Sequence, residues 1–136
     1  MGEWEFASPR NSVDAVVQLV DRLPWTRALY EEHLRENNEV LPHVLMADLR
    51  RMFVDMVEAG REDDVKRFLV EVETLAASPA DSIRNVVDVS FIEDLVVGDQ
   101  RETRALQKVR GLLGPATAAQ LAATERFHPD RGPGQP

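Results

Sequence analysis

Between residues 12 and 128 the apolar positions recur at intervals of three and four, the spacing of a helix with one face turned inward. No stretch alternates apolar and polar for long enough to read as a sheet strand. A first helix starts at Ser12 as N-cap, with Asp14 in its first turn and Val16, Val17, Leu19, Val20 and Leu23 as apolar content. Pro24 opens a second helix to about Asn37, with Trp25, Leu29, Tyr30 and Leu34 on one side and Asn37-Asn38 as its stop. Pro42 suits the first turn of a third, which carries Leu41, Leu45, Leu49, Met52, Phe53 and Met56 and ends at a left-handed Gly60. The fourth has the cleanest stripe, Val65, Phe68, Leu69, Val72, Leu75 and Ala76, with Asp63, Asp64, Arg67, Glu71 and Glu73 facing outward. Ser78-Pro79-Ala80-Asp81 reads as cap, first-turn proline and N3 acid of a fifth helix over 79–97, stopped by Gly98. Asp99 and Glu102 form a capping box for a sixth, ending near Gly111 to Gly114, and Pro115 opens a small-residue seventh to Phe127. The expected fold is all-α, a single-domain bundle of about seven helices. Helices three to six are also able to stack like one and a half α-solenoid repeats. Residues 1–11, with Trp4 and Phe6, read as an arm, 12–128 as the helical domain and 129–136 as a disordered Pro/Gly-rich tail.

The helix over 79–97 differs from the rest. Ile83, Val86, Val87, Val89, Phe91, Ile92, Leu95, Val96 and Val97 fall all round the helical wheel, which marks a central, buried element. It is rich in β-branched residues, so packing rather than propensity must hold it. A strand over Asn85 to Val97 is the alternative, and the capping signals argue against it. On a regular wheel Asp94 lies between Ile83 and Val87, and Glu93 between Val86 and Val89. A buried carboxylate needs a partner. Either Glu93 or Asp94 pairs with an arginine such as Arg50, Arg51 or Arg67, or one of them faces a concave surface and meets a partner's cation.

Composition narrows the function. The 136 residues carry 16 Lys plus Arg against 24 Asp plus Glu, a formal charge of −8. That balance disfavours a broad nucleic-acid footprint. Residues 1–60 and 61–98 are each net −5 and residues 99–136 net +2, with acids clustered at Glu31, Glu32, Glu36 and Glu39 and at Glu58, Glu62, Asp63 and Asp64. Such runs form solvated faces or steer a basic partner. Arg101, Arg104 and Lys108 share one stripe and are expected to pair with the acidic helices. Arg outnumbers Lys 14 to 2, which fits forked interface pairs and equally fits a GC-rich genome. Cys is absent, so no disulfide, thiolate metal site or Cys nucleophile exists. No apolar run approaches the roughly 20 residues of a membrane span, and no signal peptide is visible. A cytoplasmic, monomeric protein without a membrane association is the expectation.

Candidate chemistry is sparse. There is no HExxH, no phosphate loop and no GxSxG. Pro42 breaks the face that would align Glu39 with His43. Glu32, His33 and Glu36 read as a solvated face with Arg35 rather than a cation site. An enzyme, a cofactor and a metal are therefore not expected. Trp25 and Tyr30 are core aromatics or, alternatively, an interface hot spot.

The segments LPHVLMADLRRMF (41–53), VKRFLVEVE (65–73), NVVDVSFIEDL (85–95) and LLGPAT (112–117) together resemble an uncharacterised family of small all-helical bacterial proteins. Leu41, Pro42, His43, Asp48, Ser90, Phe91, Glu93 and Leu95 carry the likeness, which spans about residues 20–117. Members of that family resemble toxin immunity proteins. The resemblance implies no catalytic residues. It implies a binding inhibitor, an immunity or antitoxin protein that neutralises a cognate toxin by direct contact through an acidic surface. The other reading is a helical adaptor holding a peptide or partner helix in a groove that Phe91, Met52 and Met56 would line. The candidate partner-binding residues are Trp25, Tyr30, Glu31, Glu32, Glu36, Glu39, His43, Asp48, Glu62, Asp63, Asp64, Glu93 and Asp94.

Overall fold

Helix α5 (81–97) runs through the middle of the molecule, and the other helices are arranged around it. The computed structural model describes residues 9–129; most of the expected arm, including Trp4 and Phe6, and the tail from residue 130 lie outside them. The remaining helices are α1 (Ser12–Arg22), α2 (Arg27–Asn37), α3 (Pro42–Glu58), α4 (Glu62–Ala76), α6 (Gln100–Val109) and α7 (Pro115–Phe127). Short 3₁₀ turns at Pro24–Thr26 and Arg110–Leu112 precede α2 and follow α6. The described residues contain no strand. α1 touches α3, α4 and α5, and α4 touches α7. Contacts that jump along the chain in this way make a closed bundle rather than a solenoid, in which each repeat meets only its neighbours.

The core follows the apolar stripes. Phe53 of α3, Phe68 of α4 and Phe91 of α5 are fully buried, with ring centroids 5.1–5.7 Å apart in tilted and edge-on pairs. The α4 stripe is buried at every expected position. Asn38 (φ 62°) and Gly60 (φ 73°) adopt the left-handed conformation after α2 and α3, and the Asp99–Glu102 capping box closes the start of α6.

Local chemistry departs from expectation at four places. Asn11, not Ser12, caps α1, its side-chain oxygen accepting from the Asp14 N–H at 2.9 Å. α5 starts at Asp81 rather than residue 79, because Ser78 turns its hydroxyl to the Ala80 N–H and caps a turn ahead of the helix. His33 is buried instead of solvated. Its Nε2 accepts the Leu41 N–H at 3.0 Å, tying the α2–α3 loop down. Glu73 leaves the outer face of α4. Its carboxylate accepts from the N–H groups of Ala116 (2.7 Å) and Thr117 (2.9 Å) and from the Thr117 hydroxyl (2.8 Å), so α4 caps α7. The α7 N-cap itself is Gly114, and a Cβ there would stand 2.5–2.7 Å from the Glu73 side chain.

The largest departure lies within α5. Residues Asp88–Glu93 form a π-helical turn between α-helical Asp81–Val87 and Asp94–Val97. A π turn holds one residue more than an α turn and rotates everything after it. Glu93 and Asp94 are thereby carried away from the wheel positions of a regular helix, and both end up partly exposed. Arg50 of α3, only 7% exposed, braces this turn. Its Nη1 donates to the Ser90 carbonyl (3.0 Å) and to Asp94 (2.7 Å), and its Nε donates to Glu102 (2.7 Å).

Truncating Arg50 removes the buried cation that Glu102, Asp94 and the Ser90 carbonyl share. Arg50→Ala should cost about 3–5 kcal/mol in urea unfolding, and Arg50→Lys should recover only part, since one ammonium cannot reach three divergent acceptors.

Burial alone would raise the Glu73 carboxyl, but the Thr117 and Ala116 N–H groups and the Thr117 hydroxyl outweigh it and hold it below its ordinary value. A depressed carboxylate stabilises the fold above its unfolded value and loses that contribution as pH falls through the folded one. Glu73→Gln should cost about 1–3 kcal/mol at neutral pH. Its stability should also fall less steeply than the parent's below the ordinary carboxylate range, as read by thermal unfolding across pH.

Candidate functional site

The π turn has two flanks. On one, His43 at the start of α3 reaches the Ser90 hydroxyl through Nδ1 at 2.7 Å, beside the Arg50–Asp94 pair. Ser90 is 6% exposed and its hydroxyl is held by His43, so this flank reads as a clasp between α3 and α5. The other flank opens into a small cleft of about 140 Å³ against α7, lined by Asp88, Val89, Glu93, Ala123, Thr124, Phe127 and His128.

That cleft carries an unusual charge arrangement. Burial and the neighbouring Glu93 charge both raise the Asp88 carboxyl above its ordinary value, while the Thr124 hydroxyl works in the opposite direction. His128 Nε2 lies 3.5 Å from Glu93, an ion pair only when the imidazole is protonated. Two acids thus face one cleft whose lining includes no lysine or arginine. At its rim Phe127 is 83% exposed and Val89 41%. A ring left in water beside partly buried acids is a costly arrangement, and costly arrangements concentrate where proteins bind.

The expected partner-binding residues fall into separate groups. Glu32, Glu36 and Asp48 line a groove of about 420 Å³ between α2 and α3 with Leu29, His33, Arg51, Met52 and Asp55. Arg35 pairs with Glu32 and holds its carboxyl low, Arg51 pairs with Asp48 at 2.6 Å, and Arg101 reaches Asp55 at 2.6 Å. Glu31 and Glu39 are exposed outside that groove. Trp25 is partly buried against the core with the Arg67 guanidinium 5.0 Å above its ring, and its indole N–H has no acceptor among the described residues. Tyr30 is likewise half-buried, with Arg27 at 5.5 Å. Glu62, Asp63 and Asp64 occupy the first turn of α4, where the helix dipole favours them, and Arg61 binds Asp64 through two donors. Glu58 is held below its ordinary value by hydrogen bonds from Arg101. Glu58 and Asp64 of the acid cluster at 58–64 are therefore committed to neighbours. Of the candidate residues, Asp94 pairs with Arg50, whereas Glu93 faces the π-turn cleft. Met52 lines the α2–α3 groove, but Phe91 and Met56 are fully buried and line no groove.

Asp88, Thr124, Phe127 and His128 were not legible as a site. Their one signal was Phe127, a large aromatic ending a helix otherwise built of small residues. Among the described residues no three or more His, Asp or Glu side chains gather as a metal site, and no helix is long and apolar enough to cross a membrane.

Residues 16–129 match a family described as a domain of unknown function, DUF7674, and the chain belongs to that family. No curated protein matches the chain, and no solved structure does.

Asp88 tests whether the cleft is maintained at a cost. A carboxyl raised by folding destabilises the folded state while ionised, and the fold regains that loss as pH falls through the raised value. Asp88→Asn should therefore leave the unfolding free energy at neutral pH unchanged or raise it by less than about 1 kcal/mol after solvent screening, as read by urea unfolding. A clear loss of stability would mark Asp88 as structural.

Proposed function

We propose that this protein is a binding inhibitor of the immunity or antitoxin kind, neutralising a toxin by direct one-to-one contact, and that a cationic side chain of the toxin enters the π-turn cleft. One observation carries this reading: Asp88 and Glu93 face the same small cleft beside an exposed Phe127. A partner's arginine would relieve the repulsion between the acids and could lay its plane on the ring. The remaining surface acids, Glu31, Glu36 and Glu39 among them, would speed encounter with a basic surface.

The adaptor reading is favoured by a different feature, the α2–α3 groove, whose Leu29 and Met52 offer apolar contacts between acids.

The experiment is co-purification of the tagged chain with the product of its neighbouring gene, followed by calorimetric titration. Glu93→Gln should weaken binding at least about tenfold, since removing one desolvated charge at an interface costs about 2–5 kcal/mol, and Phe127→Ala should weaken it by a similar factor through loss of an aromatic anchor. Glu36→Gln should alter mainly the on-rate and its salt dependence. If binding tolerates both cleft variants but fails in Leu29→Asp or Met52→Asp, the adaptor reading replaces this one.

A further inference from the structure

The chain has only two lysines, and they come together. Lys66 of α4 and Lys108 of α6 line one open cleft of about 460 Å³ with Arg61, Glu62, Gly60, Val57, Val65, Val109 and Leu112. Its wall is aliphatic, formed by Val57, Val65, Val109 and Leu112, and its charged lining is three cations to one acid. The lining side chains are thus net positive in a protein of net charge −8. Arg61 is bound to Asp64, but neither lysine belongs to an ion pair among the described residues. The field of Lys108 reaches Glu58, whose carboxylate already accepts from Arg101. Leu112, 46% exposed, stands at the lip. At Gly60 (φ 73°) an added Cβ would meet nothing within 4 Å, so this turn leaves open space. The volume falls within the roughly 300–1,000 Å³ of small-molecule sites, which pair apolar walls with a few placed polar groups.

We propose that this cleft binds a small anionic amphiphile, its carboxylate or phosphate head between Lys66 and Lys108 and its alkyl body along Val57, Val65, Val109 and Leu112. Charge complementarity selects the ligand. An uncharged apolar molecule would leave both ammonium groups idle, and an inorganic anion would leave the aliphatic wall wet. The site is separate from the π-turn cleft and stands or falls independently of the inhibitor reading.

The test titrates the full-length chain with decanoate, decyl phosphate and decanol, each below its aggregation concentration, following backbone amide shifts by NMR. At least one of the two anions should bind, with shifts centred on Val57, Val65, Val109 and Leu112, at least tenfold tighter than decanol. Whichever head group binds tighter distinguishes a carboxylate from a phosphate source. The double variant Lys66→Gln/Lys108→Gln should lose that advantage while keeping the parent's melting temperature. Leu112→Glu, at the exposed lip, should weaken the same anion independently. Binding of neither anion, shifts centred elsewhere, or equal affinity for the anions and decanol would each overturn the proposal, as would undiminished binding in the folded double variant.

Discussion

The bundle is organised by one guanidinium. Arg50 is planar and rigid, and it faces three acceptors that do not lie together: a backbone carbonyl inside the π turn, a carboxylate just past that turn, and a carboxylate on α6. All three can be met only at one rotation of α5 and one position of α6. Burying such a charge adds little net stability, and its effect is geometric. A slip of α5 by one residue would strand the arginine in the core, so the extra residue of the π turn is held in place from α3. Glu102 is bound twice over, accepting from Arg50 and closing its own helix against the Asp99 N–H. The start of α6 and the middle of α5 are thus set by a single set of bonds.

Much of this fold is legible in the chain because helices announce themselves by period. The α4 stripe, the Pro42 start, the Asn37-Asn38 stop, the left-handed Gly60 and the Asp99–Glu102 box are local signals, and local signals survive folding. The π turn is not local. Its residues satisfy an α pattern equally well, and the extra residue is selected by Arg50, about 40 positions away. For the same reason a regular wheel misplaces Glu93 and Asp94. Glu73 shows a second limit: it sits on the polar side of a well-formed stripe, yet its acceptors are used by a helix whose own N-cap is a glycine. A residue that serves another element carries no mark of it in its own neighbourhood.

The charge balance is equally uneven once folded. Arginines on or beside the acidic helices consume many of the acids they sit among, through Asp64, Asp48, Glu32, Asp55 and Glu58. The field that a count of −8 implies is therefore not spread over the surface. What distinguishes Asp88 is that folding raises its carboxyl, whereas Glu32, Glu58 and Glu73 are lowered. A site where folding works against an ionised group stands apart from a surface that merely keeps a protein dissolved.

α7 begins on a cap that another helix supplies. Its buried side chains are Thr117, Leu121 and Thr124, and its leading N–H groups are satisfied from α4. The first turn of α7 thus depends on a side chain of another helix. Thr124, Phe127 and His128 all ride on that segment or just past its end. One side of the π-turn cleft is therefore carried by a helix whose opposite end is fixed by the Glu73 carboxylate, a group that the cleft never touches.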